Sequence, residues 1–150
     1  MMKKFLTVLL AMLMIASSIF PSYASNIEAE VEYMDDGSYI VTVINEVPVG
    51  ISLMSTTVTK SKTATHYSVD GTAIWFVKVT GTFTYGNGNA TCTSASVTAK
   101  SYSSRWTITS KSASRSGNQA TGTATAYCSS SGGTYAKTVT LTCSSTGTFS

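Results

Sequence analysis

His66 is the single histidine among 150 residues, two positions from Ser68 and four from Asp70. An imidazole can take a proton from a serine hydroxyl within hydrogen-bond reach, and a carboxylate can orient the ring. Residues two apart on a strand share a face, so His66 and Ser68 can meet. No nucleophile-elbow motif surrounds them, and a chain this rich in serine produces such spacing easily. The expectation is a surface histidine on a polar strand, and no residue is assigned a catalytic role. Glu28, Glu30 and Glu32 share one strand face; a glycosidase pair can use such a carboxylate, but a solvated edge is the simpler reading. No phosphate-cradling glycine loop or calcium loop is present. One histidine and three widely spaced cysteines make no metal site, and no cofactor is expected.

Cys92, Cys128 and Cys143 allow three pairings. Cys128 and Cys143 lie on strands of one expected hairpin centred near residue 131. Antiparallel pairing sets Cys128 opposite about residue 134 and Cys143 opposite about residue 119, too far apart to bond. Cys92–Cys128 stays open. Cys92–Cys143 is preferred, because Cys143 continues the inward parity of Val139 and Leu141. Such a bridge closes a loop of about 50 residues and typically contributes about 2–4 kcal/mol. Cys128 is then a buried thiol, or the link of a disulfide dimer. The chain is expected to be a monomer or a Cys128-linked dimer.

A disulfide needs an oxidising compartment, and the N-terminus supplies the route. Met1-Met2-Lys3-Lys4 is a basic start, Phe5 to Ala16 is apolar except for Thr7, and Ser22-Tyr23-Ala24 offers small residues at the −3 and −1 sites. That three-part pattern is a cleaved signal peptide over residues 1–24. The apolar run is shorter than the roughly 20 residues a membrane span needs. No cysteine stands near the cleavage site and no apolar tail closes the chain, so no membrane anchor is expected. The product, residues 25–150, reads as one secreted, extracellular domain.

Ten Lys and Arg face seven Asp and Glu, and losing Lys3 and Lys4 leaves eight against seven, a net charge near +1. That balance gives no electrostatic reason to bind nucleic acid or an anionic membrane. The charges are segregated: every acid precedes residue 71, and every charge from Lys78 onward is positive. Ser and Thr make up 45 of the 126 residues from Ser25 onward. With only Pro48 among them, and with Ser and Thr alternating with apolar residues, the composition is that of strands rather than of a disordered stalk.

Those strands must position any site. Ile27, Ala29, Val31 and Tyr33 share one parity, against Glu28, Glu30 and Glu32. Asp35-Asp36-Gly37-Ser38 is a turn, followed by a more buried strand over residues 39–44. Glu46 to Ser55, with Pro48 and Gly50, reads as a crossover between layers. Thr57 to Ser68 reads as a polar edge strand guarded by Lys60 and Lys62. From Thr72 to Tyr85, Ala73, Trp75, Val77, Val79, Phe83 and Tyr85 point inward and Thr80, Thr82 and Thr84 outward, with Gly81 on the inner parity. Gly86-Asn87-Gly88-Asn89 is a tight turn. The return strand changes parity between Cys92 and Ala95, which predicts a bulge. Trp106 and Ile108 share a face before a turn at Gly117-Asn118. Ala120, Gly122, Ala124 and Ala126 then oppose Thr121, Thr123, Thr125 and Tyr127. After Ser131-Gly132-Gly133, Tyr135, Val139, Leu141 and Cys143 oppose Thr138, Thr140 and Thr142. Trp75, Phe76, Phe83 and Trp106 are expected to supply much of the apolar area. The fold class is all-β: an immunoglobulin-like two-layer antiparallel β-sandwich with about eight strands.

Tyr67-Ser68-Val69-Asp70-Gly71, Trp75 to Tyr85, Cys92-Thr93-Ser94-Ala95-Ser96-Val97 and Thr138 to Ser150 resemble a group of small secreted proteins of Gram-positive gut anaerobes. The resemblance covers nearly the whole mature chain and implies a shared fold. The group has no established activity, so it implies no catalytic residue.

The working expectation is a secreted, non-enzymatic binding or interaction module for an extracellular glycan or protein. Tyr85, Tyr102, Arg105, Tyr127 and Tyr135 are the candidate contacts, because Tyr and Arg join large contact area to hydrogen bonding. A self-associating surface component and a small secreted hydrolase are the alternatives. The Thr-x-Thr rows are ordinary strand surface, or else a flat polar face for a glycan or another repetitive surface.

Overall fold

Threonine alternating with apolar residues suits a strand that is wet on one face and buried on the other. The computed structural model describes residues 29–45 and 55–150; the expected signal peptide lies outside them. The strands are β1 (Ala29–Tyr33), β2 (Tyr39–Asn45), β3 (Thr56–Tyr67), β4 (Ala73–Gly86), β5 (Asn89–Ser101), β6 (Trp106–Ser116), β7 (Gln119–Cys128) and β8 (Gly133–Thr142). They form two antiparallel sheets, β1-β2-β3-β4-β5 and β6-β7-β8, packed as a β-sandwich. Spatial neighbours within each sheet are consecutive in sequence, so both are meanders. No helix occurs among the described residues.

The core lies between large side chains of β4 and small ones of β7. Trp75, Val77, Val79 and Phe83 meet Ala120, Ala124 and Ala126, with Val139 and Leu141 beside them on β8, all buried. Gly122 completes the fit, since a Cβ there would stand 3.0 Å from Val79 Cβ. Small residues on one sheet thus make room for branched and aromatic ones on the other, which is how interiors reach high packing density. The β4–β5 turn is held by Asn87 and Gly88, both at positive φ (52° and 78°), as a two-residue hairpin turn requires. The expected bulge is present: Thr82 pairs with Ser94 and Phe83 with Cys92, leaving Thr93 as the extra residue.

Several expectations are corrected. β3 is the middle strand of the five-stranded sheet, not an edge. Its inner parity runs Val58, Lys60, Lys62, Ala64, His66, opposite Phe83, Gly81, Val79, Val77 and Trp75. Lys60 is buried, and its ammonium lies over the Phe149 ring at 5.7 Å from the centroid, a cation–π contact. Residues 46–54 lie outside the described residues, but the strands on either side, β2 and β3, are paired in one sheet, so the segment joins neighbours rather than layers. On β1 the apolar parity faces outward: Val31 pairs with Val41 and Tyr33 with Tyr39, while Glu30 and Glu32 pair with the buried Thr42 and Ile40. Glu32 meets Lys137 of β8 in an ion pair across the two sheets. Phe76 is on the outer face of β4, opposite Lys100, and not in the core.

Candidate functional site

Four side chains form a chain of hydrogen bonds at one end of β2, β3 and β4. The β1–β2 turn holds Asp36 and Ser38. Ser38 donates to Asp36 Oδ1 through its hydroxyl (2.6 Å) and its backbone N–H (3.0 Å). His66 Nε2 stands 2.9 Å from Ser38 Oγ, and Trp75 Nε1 donates to His66 Nδ1 across 2.9 Å. An indole N–H only donates, so Nδ1 accepts and the neutral ring carries its proton on Nε2. His66 therefore donates to Ser38, which donates to Asp36. That direction is opposite to the one a serine nucleophile needs, and no lone pair of the ring is left to serve as a base. His66 is 5% exposed, which corrects the surface histidine expected from sequence. Trp75 and Trp106 meet it edge-on, with ring centroids 6.1 and 5.6 Å away. Burial pushes the imidazole pKa down, against a smaller upward pull from Asp36. Hydrogen bonds from the Ser38 hydroxyl and backbone hold the Asp36 carboxyl below its ordinary value. Ser68 bonds Asp70 and the Thr72 carbonyl, away from His66.

The outer face of the five-stranded sheet carries a different arrangement. Tyr33 pairs with Tyr39 and Tyr39 with Tyr67, so three tyrosines stand side by side on β1, β2 and β3. Their ring centroids are 5.9 and 5.3 Å apart, and Tyr39 and Tyr67 are stacked at 14°. The same face continues through Phe76 of β4 to Tyr102, just beyond β5, at 5.6 Å. Lys100 lies 6.0 Å over the Tyr102 ring. Each of the five strands thus supplies or adjoins one aromatic ring. Tyr67 pairs with Ala73 and Phe76 with Thr65, so the Phe76–Tyr102 pair is offset along the strands from the three tyrosines on the same face. Tyr33 and Tyr102 are the most exposed, at 76% and 57%.

Below the rings the same face is paved with hydroxyls. Thr57 bonds Thr84 (3.0 Å), Thr59 bonds Thr82 (2.9 Å) and Ser61 bonds Thr80 (2.8 Å) across β3 and β4. Two of the threonine rows read from sequence lie side by side on the other sheet, where Thr123 bonds Thr138 (2.9 Å) and Thr121 bonds Thr140 (3.3 Å). The third belongs to β4, on the opposite side of the sandwich.

The five contact candidates do not form one patch. Tyr102 belongs to the aromatic row. Tyr85 is half-buried on β4 and packs against the core. Arg105 lies in the β5–β6 connection, where its carbonyl accepts from the backbone N–H of Ser129 (2.8 Å) and its hydroxyl (3.1 Å). Tyr127 is on the outer face of β7. Tyr135 has the inner parity and packs 5.0 Å from Trp106. Tyr33, Tyr39, Tyr67 and Phe76 are not among the contact candidates read from sequence. The signal that marks three of them is shared parity across the β1–β2 and β2–β3 pairs, which requires the register.

Elsewhere an open groove of about 390 Å³ lies on the inner side of β1–β3, lined by Ala29, Glu30, Thr42, Ile44, Lys62 and Ser150. No cluster of three or more His, Cys, Asp or Glu able to hold a metal ion occurs among the described residues. No helix among them is long and apolar enough to cross a membrane. No family model and no curated protein matches the chain. Among solved structures it is similar to a hypothetical protein from Listeria monocytogenes EGD-e. The match has 14% identity and a TM-score of 0.43, and covers 83% of this chain and 99% of that one.

Proposed function

We propose that the chain is a secreted, non-enzymatic binding module that holds an extracellular glycan against the aromatic row of its five-stranded sheet. The single observation behind this reading is the tyrosine row Tyr33, Tyr39 and Tyr67, with the Phe76–Tyr102 pair offset beside it on the same face. Aromatic faces are weakly negative and attract the C–H groups of a sugar ring laid flat on them. Hydroxyls donate and accept alike, so the Thr and Ser below the rings suit the hydroxyls of the same glycan. Lys78 and Lys100 are the only charges at the β3–β5 positions of this face, which favours a neutral or weakly acidic chain. The exported form is braced by a disulfide and resembles the secreted proteins of Gram-positive gut anaerobes. Titration of the protein with soluble neutral and acidic oligosaccharides, followed by tyrosine fluorescence and calorimetry, tests the reading. Binding lost in Tyr39→Ala and Tyr67→Ala supports it. Binding unchanged in both variants contradicts it.

Self-association is a second reading, supported by β6. Thr109 to Ser116 are all exposed, and β6 has a hydrogen-bonded neighbour on one side only within its sheet. A free strand edge is a template for a second chain. Sedimentation across protein concentration separates this reading from the first.

A further inference from the structure

The β6–β7 turn brings two cysteines from different sheets to one place. Cys92 of β5 donates its backbone N–H to Gly117 O (2.7 Å), and Cys143, just after β8, donates its own to Asn118 O (3.0 Å). Gly117 and Asn118 are consecutive, with Cα atoms about 3.8 Å apart. The carbonyls are held as well. Arg115 Nη1 donates to Cys92 O (3.2 Å), and Asn118 Nδ2 to Cys143 O (2.7 Å). Below this turn, Cys92 pairs with Phe83 and Cys143 bridges to Phe149, and those two rings touch at 5.3 Å. Both cysteines are in the core, at 1% and 0% exposure. They lie within electrostatic reach of each other: burial, and then the neighbouring Cys92, raises the pKa of Cys143.

Cys128 is at the other end of the molecule. It ends β7, paired with Trp106 and Gly133, whereas Asn118 precedes the start of that strand. Nine residue steps along β7 span about 30 Å. A disulfide requires Cα atoms within about 7 Å, so Cys128 reaches neither of the others.

We infer that Cys92 and Cys143 form an intramolecular disulfide clasp that joins the two sheets at the β6–β7 turn and leaves Cys128 as a single thiol. The inference rests on the reading of the chain as exported, which places it among disulfide oxidants. Two thiols react with one low-molecular-weight disulfide. The first thiolate attacks that disulfide and expels one thiolate. The second cysteine thiolate then attacks the mixed disulfide and expels the other. The Cys92–Cys143 bond forms, the oxidant's S–S bond is reduced, and the two cysteine protons end on the two released thiols. In the reduced fold each Sγ instead donates to a nearby carbonyl, Cys92 to Ser94 O (3.2 Å) and Cys143 to Ser144 O (3.3 Å). Buried thiols are poor nucleophiles, so the bond forms as the chain folds.

The test is unfolding of the full chain in denaturant and refolding in a glutathione and glutathione-disulfide mixture, followed by intact mass and peptide mapping. The expected product is lighter than the reduced chain by two hydrogen atoms. It carries one crosslinked peptide pair containing Cys92 and Cys143, and one alkylatable thiol at Cys128. Cys128→Ser should keep the mass loss, and Cys92→Ser should abolish it. A bridge that includes Cys128, or three free thiols in a refolded chain with the circular dichroism of a β protein, would overturn the clasp. Mapping the unsubstituted chain decides the pairing even if Cys92→Ser does not fold. Because the refolding is done outside the cell, retention of the chain by its host would overturn the export reading alone.

Discussion

The indole N–H of Trp75 donates to His66 Nδ1 across 2.9 Å, and this bond fixes the protonation of a buried imidazole. Protonating Nδ1 would set two donors against each other and put a charge beside Trp75 and Trp106. The folded-state pKa of His66 is depressed, chiefly by burial. A depressed pKa means that the unfolded chain binds the proton more readily. The stabilisation is therefore complete above the unfolded value of about 6.5 and is lost as pH falls from there toward the folded value. Asp36 adds a separate loss below its ordinary value of 3.8. We expect the melting temperature to fall as pH drops below about 6.5. His66→Gln should lower stability overall and abolish that slope. Thermal unfolding across this range checks it, and an equal slope in the variant would refute the assignment.

Gly81 is required by close approach rather than by backbone angle. A Cβ there would stand 2.5 Å from Phe83 Cε2 and 2.8 Å from Ala120 Cβ, and Phe83 is fully buried against Phe149. Overpacking of this kind costs about 1–3 kcal/mol. Gly132 is the contrast: its φ is +67° and nothing lies within 4 Å of an added Cβ, so Gly132→Ala meets only backbone strain of about 1–2 kcal/mol. Urea unfolding should show that Gly81→Ala repacks or loosens Phe83. Near-ultraviolet circular dichroism should change for Gly81→Ala and not for Gly132→Ala.

The alternation of β4 was legible residue by residue, because large apolar residues at every second position leave one choice of inner face. The glycine and asparagine turns and the Thr93 bulge were legible for similar local reasons. The position of β3 was not. Lys60, Lys62 and His66 occupy its inner parity, and polarity alone reads as an edge. It takes the Trp75–His66–Ser38 bonds, and the Lys60 ammonium over the Phe149 ring, to bury His66 and Lys60 there. The aromatic row was illegible for a different reason. Tyr39 and Tyr67 become neighbours only through the β2–β3 register, and residues 46–54 between those strands carry no local signal for it. Candidates chosen by residue type alone fell on both sheets and both faces.

The clasp also predicts a stability difference. A bridge across a loop of this size contributes about 2–4 kcal/mol, through restriction of the unfolded chain. The oxidised protein should unfold at a higher denaturant concentration than the same protein held in reductant. Cys128→Ser should leave that difference unchanged. A reductant effect that disappears in Cys128→Ser would assign the bond to the wrong cysteine.

The central claim is that the outer face of the five-stranded sheet binds glycan through its aromatic row. The most direct measurement is oligosaccharide binding by isothermal titration calorimetry for the unsubstituted protein, Tyr39→Ala, Tyr67→Ala and Tyr127→Ala. Tyr39 and Tyr67 are stacked within the row, whereas Tyr127 is on the other sheet. Removing one stacked ring from a binding face typically costs about 1–3 kcal/mol, or roughly 5- to 150-fold in affinity. The account predicts that loss for Tyr39→Ala and Tyr67→Ala, with Tyr127→Ala unchanged. Affinity that survives both substitutions in the row and falls with Tyr127→Ala would contradict it.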